Sequence, residues 1–306
     1  MIEIIATAES VEQGEKLLQV GADTIYIGED KFGLRLPASF TGDEIKTLTQ
    51  IAHHEGKQVG VAVNALMHNE RIKQVLPYLR TLEEIGVDWI SVGDPGVIHL
   101  LQTNKIELPF VYDAQTMVTS ANQVNFWAKR GAVGAVLARE LTYEELKTIS
   151  EQATVPVEVQ VYGSTCIHQS KRPLVSNYMH FVEQANDTAK EKGLFISEAK
   201  NEDTHYSIYE DMNGTHIFAT DDINLILHLQ KLKDVGIRKW KLDGLFVQGD
   251  TFVDIVRLFV NERDAIMNNT WSVEALEERA KQLHALHPKG RGLGTGFFLK
   301  DPADIK

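Results

Sequence analysis

The chain has 306 residues, of which 43% are hydrophobic and 24% charged, and its formal net charge is −12. This profile excludes a disordered chain, and the acidic balance disfavours a broad nucleic-acid surface, because phosphate contacts need Lys and Arg. The sequence has neither an apolar run of the ~18 residues that a membrane span needs nor a basic N-terminal segment. The single cysteine, Cys166, allows no internal disulfide. We therefore expect a cytoplasmic protein without membrane contact.

Short apolar runs alternate with helical patterns along most of the chain. Eight of these runs are nearly continuous in apolar residues, as expected for strands that are buried on both faces. The predicted strands lie at residues 3–8, 24–28, 58–64, 89–94, 110–115, 135–140, 157–163 and 239–244. Amphipathic helices follow most of them. Thr41 and Thr142 are predicted to begin two of these helices, the second through a capping box with Glu145.

Eight strand–helix units with right-handed crossovers can close into a (β/α)8 TIM-type barrel. We predict this α/β fold for one domain that spans residues 1–306. The strand pattern alone leaves an open, doubly wound α/β sheet as a nearly equal alternative.

One segment, residues 164–221, interrupts this alternation. It contains three β-like runs separated by polar stretches, and Asn213-Gly214 is a hairpin-type turn signal. We predict an antiparallel β ribbon inserted after strand 7, at the end of the barrel where active sites lie. The sequence leaves open whether the ribbon covers the mouth of the barrel, forms a partner surface or does neither.

The rest of the chain completes the predicted barrel. A helix is predicted at 223–232, with Asp221 and Asp222 as its N-cap. Residues 271–306 are predicted to form a helix and a Gly-rich tail, which is either a closing segment across the barrel or a mobile end.

Barrels of this type carry their functional groups at the carboxyl ends of the strands and in the following loops. Polar side chains at these positions have both charge signs and suit a small polar or anionic ligand. The candidates are Arg35, Asn64, Asp94, Gln115, Arg139, Glu140, Tyr162, Cys166, His168, Lys241 and Asp243. Arg35 and Arg139 are suited to bidentate contacts with a carboxylate. A structural ion pair between Arg139 and Glu140 is an equal alternative.

No established catalytic motif appears in the sequence, which contains no HExxH, GxSxG or P-loop pattern. Cys166 and His168 are weak evidence for a thiol nucleophile, because a catalytic pair is usually distant in sequence. The spacing of histidines and carboxylates supports no metal site. The residues alone therefore leave open whether the chain is an enzyme.

The stretch EVQVYGSTCIHQSKRPLVS at residues 158–176 resembles the signature of the peptidase U32 family. The matching residues are Glu158, Gly163, Ser164, Cys166 and Ser176. Further stretches resemble the same family in order along nearly the whole chain, among them SNY at 176–178, which adds Ser176 and Asn177 to the candidates. The chain departs from the signature at Pro173, where the family has its second cysteine. It therefore looks like a short, cysteine-poor form.

The resemblance implies a barrel fold and several functions. The family is labelled as collagenase-like peptidases, which are hydrolases, while other branches hydroxylate a quinone ring or the wobble uridine of tRNA. The second of these reactions follows a prephenate-dependent route. The cysteines of relatives are associated with an iron–sulfur cluster, and a cluster needs about four thiolates. The chain alone is therefore expected to bind no cofactor, and a cluster would belong to a partner.

On this resemblance, the chain looks like the smaller member of a pair of paralogues that 5-hydroxylates tRNA uridine. The cysteine-bearing paralogue would be its partner and would supply most of the contact with tRNA, while a small carboxylate such as prephenate could bind at the barrel mouth. Two alternatives stay open. The chain could be a collagenase-like peptidase, or a non-catalytic protein that binds small carboxylates or serves as a scaffold.

Overall fold

A computed structural model describes residues 1–184, 187–301 and 303. The strands are β1 Glu3–Thr7, β2 Thr24–Ile27, β3 Gln58–Ala62, β4 Trp89–Val92, β5 Phe110–Tyr112, β6 Ala132–Val136, β7 Val157–Gly163, β8 Cys166–Ser170, β9 Phe195–Glu198, β10 Asn201–Asp211, β11 Gly214–Phe218, β12 Asp221–Asn224, β13 Lys239–Leu242 and β14 Gly292–Gly294. The helices are α1 Val11–Gln19, α2 Gly42–His54, α3 Asn69–Ile85, α4 Pro95–Thr103, α5 Ala121–Ala128, α6 Tyr143–Gln152, α7 Leu174–Phe181, α8 Leu229–Asp234, α9 Gly249–Met267 and α10 Val273–Leu286. Parts of the predicted insertion (185–186) and C-terminal tail (302 and 304–306) lie outside the described residues.

Eight parallel strands close into a barrel, which confirms the predicted α/β fold. Strands β1 to β7 pair in chain order, and β13 closes the barrel between β1 and β7. In this closure Lys239 is in register with Glu3 on one side and with Glu158 on the other. The carboxyl ends of all eight strands point to one end of the barrel, which we call the mouth.

The hydrophobic core lies on both sides of the barrel wall. The larger cluster, which includes the fully buried Trp240 and Phe259, fills the space between the strands and the outer helices. A smaller cluster that includes Tyr26 and Trp89 fills the barrel interior. A Cβ atom at Gly60 would lie 2.4 Å from the Trp89 ring, so only glycine leaves room for this indole.

The predicted ribbon is a four-stranded antiparallel sheet, in the order β8-β11-β10-β9, inserted after β7. A two-residue turn, Met212-Asn213, joins β10 to β11, so the hairpin turn lies one residue earlier than the predicted Asn213-Gly214. Gly214 has φ +108°, and a Cβ atom there would lie 2.0 Å from the Ser170 carbonyl oxygen. The Asn213 side chain donates to the Asp30 carbonyl at 2.9 Å. The sheet therefore contacts the loop after β2, at the mouth of the barrel.

The helix predicted at 223–232, with Asp221 and Asp222 as its N-cap, is wrong in its first part. Asp221–Asn224 form strand β12, which pairs with β7 and with β14. The carboxylate of Asp222 is buried and accepts hydrogen bonds from Arg291 Nε at 2.9 Å and Nη2 at 2.5 Å. These contacts are made with the C-terminal segment, so a local helix signal could not reveal them.

The sixth strand begins and ends earlier than predicted. It covers Ala132–Val136 instead of residues 135–140. Its pairing with β7 ends at Val136, which lies opposite Glu158. Arg139 and Glu140 consequently lie in the loop beyond the strand, above the mouth.

The buried Asp222–Arg291 pair gives a stability prediction. The substitution Arg291→Ala leaves the Asp222 carboxylate, which is 1% exposed, without its cationic partner. We expect the free energy of unfolding to fall by ~3–5 kcal/mol, measured by urea denaturation. Arg257→Ala is the matched control, because its pair with Asp254 is about half exposed and should contribute no more than ~1 kcal/mol. Equal losses in the two variants would contradict the prediction.

Candidate functional site

A cavity of about 210 Å³ opens at the mouth, between the barrel and the inserted sheet. We call it the mouth pocket. Its polar lining comes from the loops after β2, β5 and β6 and from strand β8. The polar residues are Arg35, Gln115, Thr116, Arg139, Cys166, His168 and Gln169. All except Thr116 and Gln169 are candidates from the sequence, so the fold brings five predicted residues together.

Arg35 connects the barrel to the inserted sheet. Its Nη1 donates to Gln169 Oε1 at 2.7 Å, and its Nη2 donates to Gln115 Oε1. Arg35 and Gln115 both have left-handed backbone conformations, with φ of +53° and +56°. Such conformations cost a residue other than glycine ~1–3 kcal/mol and cluster at functional sites. Two strained residues therefore meet in one hydrogen-bond network at the mouth.

A chain of hydrogen bonds continues from Gln115 into the barrel. Gln115 Nε2 donates to Asp113 Oδ1 at 2.7 Å, and Asn64 Nδ2 donates to Asp113 Oδ2 at 2.6 Å. The amide oxygen of Asn64 accepts from the Leu34 backbone at 3.0 Å. Because Leu34 precedes Arg35, Asn64 and Asp113 hold the loop that carries the guanidinium.

Arg139 faces the same pocket from the loop after β6. Its Nε donates to Gln160 Oε1 at 2.5 Å, and its Nη1 lies 3.5 Å from Gln115 Oε1. The hydrogen bonds of Arg139 go to Gln160 and Gln115, and within the described part of the chain it makes no ion pair with Glu140, which is exposed. The structural ion pair considered above therefore does not form. Nη2 of Arg139 has no protein partner among the described residues and is available to an acceptor on a ligand.

The barrel interior below the pocket contains buried charges. Lys241 Nζ lies 3.6 Å from Glu158 Oε1 and 3.5 Å from the centre of the Tyr26 ring. Burial raises the pKa of Glu158, although the Lys241 charge opposes this shift. Burial also raises the pKa of Asp243, a predicted candidate at the end of β13. The barrel interior beneath the mouth pocket therefore contains charged side chains that are buried from solvent.

The Cys166 thiol does not pair with the His168 imidazole, as the sequence could suggest. It donates to the His168 backbone carbonyl at 3.2 Å. The neighbouring imidazole is that of His216 in β11, whose Nε2 lies 2.9 Å from Asp211 Oδ1 in β10. His216 is fully buried.

These three side chains shift one another's ionisation. Burial raises the pKa of the Cys166 thiol, but the neighbouring His216 imidazole and the charges of Arg35 and Arg139 outweigh burial, so the pKa is lowered. Burial lowers the pKa of His216, but Asp211 and Cys166 outweigh it, so this pKa is raised. The arrangement favours a thiolate beside an imidazolium.

Besides Asn64, Glu140, Lys241 and Asp243, four predicted candidates do not line the mouth pocket, namely Asp94, Tyr162, Ser176 and Asn177. The Asp94 carboxylate caps α4 by accepting from the Gly96 backbone at 2.7 Å. The Tyr162 hydroxyl is buried against His287 Nδ1 at 2.8 Å. Ser176 and Asn177 lie on α7, where Ser176 hydrogen-bonds with Glu210 and Asn177 is exposed.

Several residues of the site escaped the sequence analysis. They are Asp113, Gln160, Gln169, Asp211 and His216. Two had a readable signal, because Asp113 directly follows an apolar strand and Gln160 is a polar residue within one. Asp211 and His216 had none, since Asp211 meets His216 only through the register of β10 with β11, and β11 meets Cys166 only through its pairing with β8.

The residues of this chain do not fit an iron–sulfur cluster, because such a cluster needs about four thiolates and Cys166 is the single cysteine. Over residues 1–184, 187–301 and 303, no three or more His, Cys, Asp or Glu side chains are grouped to hold a metal ion. Among the same residues, none of the helices combines the length and apolar character that a membrane crossing requires.

The family model described as Peptidase family U32 matches residues 9–306. The chain is 35% identical to tRNA hydroxylation protein P2 of Bacillus subtilis, with 98% of each chain covered. It is 27% identical to tRNA hydroxylation protein P1 of the same bacterium, over 98% of this chain and 71% of that one. A solved structure of a U32 peptidase is similar over 81% of this chain and 94% of its own, with a TM-score of 0.50 and 16% identity. The last likeness supports the fold alone.

The hydrogen bonds of Asn64 give a test of how the site is held. Asn64→Ala leaves the Leu34 N–H and the Asp113 carboxylate without this partner inside the barrel. We expect the free energy of unfolding to fall by ~1–3 kcal/mol in urea denaturation. Asn177→Ala is the control with the same change, and at its exposed position it should alter stability by less than ~0.5 kcal/mol. Similar values for both variants would contradict the network.

Proposed function

Because this chain belongs to the peptidase U32 family, we propose that it acts in tRNA hydroxylation as one subunit of a pair of paralogues. The observation that carries the proposal is 35% identity with tRNA hydroxylation protein P2 over 98% of both chains. The similarity to P1 of the same bacterium supports a pair, since two relatives of this chain occur in one organism.

The composition supports a division of labour within the proposed pair. With one cysteine, this chain cannot ligate a cluster alone, so a cysteine-bearing paralogue would supply it. With a net charge of −12, the chain is poorly suited to neutralise phosphates, so the partner would make most of the tRNA contact. The proposed product is 5-hydroxyuridine at the wobble position.

The mouth pocket is proposed to bind a small carboxylic acid, with prephenate as the first candidate. Arg35 and Arg139 enter the pocket from two separate loops, and Arg139 Nη2 is available to an acceptor. Guanidinium groups bind carboxylates through paired, charge-assisted hydrogen bonds. An acid with two carboxylates could therefore contact both arginines.

The tRNA part of the proposal is tested by mass spectrometry of tRNA nucleosides. In a strain that lacks this protein and every other uridine 5-hydroxylation route, we expect 5-hydroxyuridine and its derivatives to be lost. Expression of the wild-type chain should restore them, because the strain still contains the partner paralogue. Derivatives that persist at unchanged levels in the deletion strain would refute this role.

The ligand part is tested by calorimetric titration of the purified chain with prephenate. Arg139→Ala removes a charge-assisted contact of ~1.5–3 kcal/mol, so the Kd should rise by ~10-fold or more. The control, Arg130→Ala, removes an exposed arginine outside the pocket and should leave the Kd unchanged. Absence of binding to the wild-type chain, or equal affinity in the two variants, would rule out this site.

A further inference from the structure

Helix α7, which packs on the inserted sheet, is mostly exposed although it carries large apolar side chains. Among its eight residues only Val175 is buried. Leu174, Tyr178 and Phe181 follow the i, i+4, i+7 spacing that places side chains on one face of a helix, and they are 39%, 61% and 86% exposed. A helix usually turns such a stripe toward the core. Here, within the described residues, the stripe largely faces solvent.

The stripe borders an apolar groove of about 320 Å³ between α7 and the inserted sheet. All of the residues that line the groove are apolar or aromatic, and Phe195 and Ile196 enter it from β9. Strand β9 is an edge strand that pairs with β10 alone in the part of the chain that the structure describes, and its residues are exposed. An exposed edge with apolar side chains favours association with another chain.

Hydrogen bonds hold α7 in a fixed position on the sheet. The Glu210 carboxylate in β10 accepts from the backbone N–H groups of Val175 at 2.6 Å and Ser176 at 3.1 Å. The Leu174 N–H donates to Thr215 Oγ1 in β11 at 2.9 Å. These bonds satisfy N–H groups that have no partner within the helix, and they fix a helix that would be too short to be stable alone. The apolar surface is therefore ordered before a partner binds, which reduces the entropic cost of binding.

The exposed apolar area is large enough for the centre of a specific interface. Tyr178, Phe181 and Phe195 have exposed fractions that together equal about two whole side chains, which leaves ~300–500 Å² of aromatic surface uncovered. Leu174 and Ile196 extend this area. A stable interface buries ~800 Å² on each partner, with an apolar centre and a polar rim. Patches of this size often mark interaction sites.

We propose that α7 and β9 form the surface on which the paralogue partner docks. The inference rests on the proposed pair of paralogues and names the surface through which this chain joins it. The similarity to tRNA hydroxylation protein P1 covers 98% of this chain and therefore extends across the inserted segment. A paralogue of that kind has its own version of the segment, so related surfaces can meet as they do in a two-fold dimer.

The charge balance favours the paralogue over a second copy of this chain. Each copy has a net charge of −12, so two copies repel one another. The proposed partner makes most of the tRNA contact and therefore needs an excess of Lys and Arg over the surface that binds phosphates. Opposite charges bring the two chains together, while the apolar surface supplies affinity once they meet.

Binding of the purified chain to the cysteine-bearing paralogue from the same genome tests the surface. We expect a one-to-one complex, detected by light scattering after size-exclusion chromatography. The double variant Tyr178→Glu/Phe181→Glu should raise the Kd by at least ~100-fold, measured by surface plasmon resonance, because it places two carboxylates in an apolar contact. Both positions are exposed, so the urea midpoint of the variant alone should stay unchanged.

Leu227→Glu/Met267→Glu is the matched control. It adds the same charge at two half-exposed apolar residues outside the inserted sheet and should leave the Kd unchanged. Phe181→Leu keeps an apolar side chain and should retain the complex. If the double variant does not fold, hydrogen exchange of the wild-type complex decides, because the amides of α7 and β9 should then exchange more slowly than in the free chain.

The possible failures are distinguishable from one another. A complex that the folded double variant forms as tightly as the wild type, or unchanged exchange in α7 and β9, would overturn this surface and leave the pair of paralogues intact. A wild-type homodimer that the double variant abolishes, without binding of the paralogue, would overturn the paralogue as the occupant in favour of a second copy. Absence of any complex between the wild-type chain and the paralogue would overturn both the surface and the proposed pair, whereas the role in tRNA hydroxylation is judged by the nucleosides alone.

Discussion

Closure of the barrel depends on β13, the strand that joins the first and seventh strands, and β13 carries a buried cation. An ammonium group removed from water is strongly unfavourable unless other groups replace its hydration. Lys241 meets the Glu158 carboxylate and the face of the Tyr26 ring. These partners come from β7 and β2, so the charge is compensated only when strands from different parts of the chain close around it.

The same closure creates the mouth and its network. When the barrel is closed, the loops after β2, β5 and β6 lie next to one another, and strand β8, which follows β7, lies over the same opening. Arg35 then contacts the barrel and the inserted sheet at once. The strained backbone of Arg35 and Gln115 persists because the surrounding hydrogen bonds outweigh its cost.

The sequence predicted those features that local chemistry determines. The capping residues Thr41 and Thr142 begin their helices as expected, and the Asn213-Gly214 signal lies within one residue of the turn between β10 and β11. The strand periodicity found eight barrel strands because each is buried on both faces. It left the barrel and the open sheet nearly equal, since closure is a contact between distant strands that periodicity does not encode.

Part of the candidate site, including the pairing of Asp211 with His216, could not be predicted for the same reason. Position at the end of a strand or in the loop after it identified Arg35, Gln115 and Arg139. Outside the site, Asp222 resembles a helix cap in the sequence, because its contact with Arg291, 69 residues later in the chain, leaves no local signal.

The link through Arg35 between barrel and sheet has a thermodynamic consequence. A partner that displaces β8 alters the pocket, and reciprocity then requires that a pocket ligand change the affinity for that partner by the same factor.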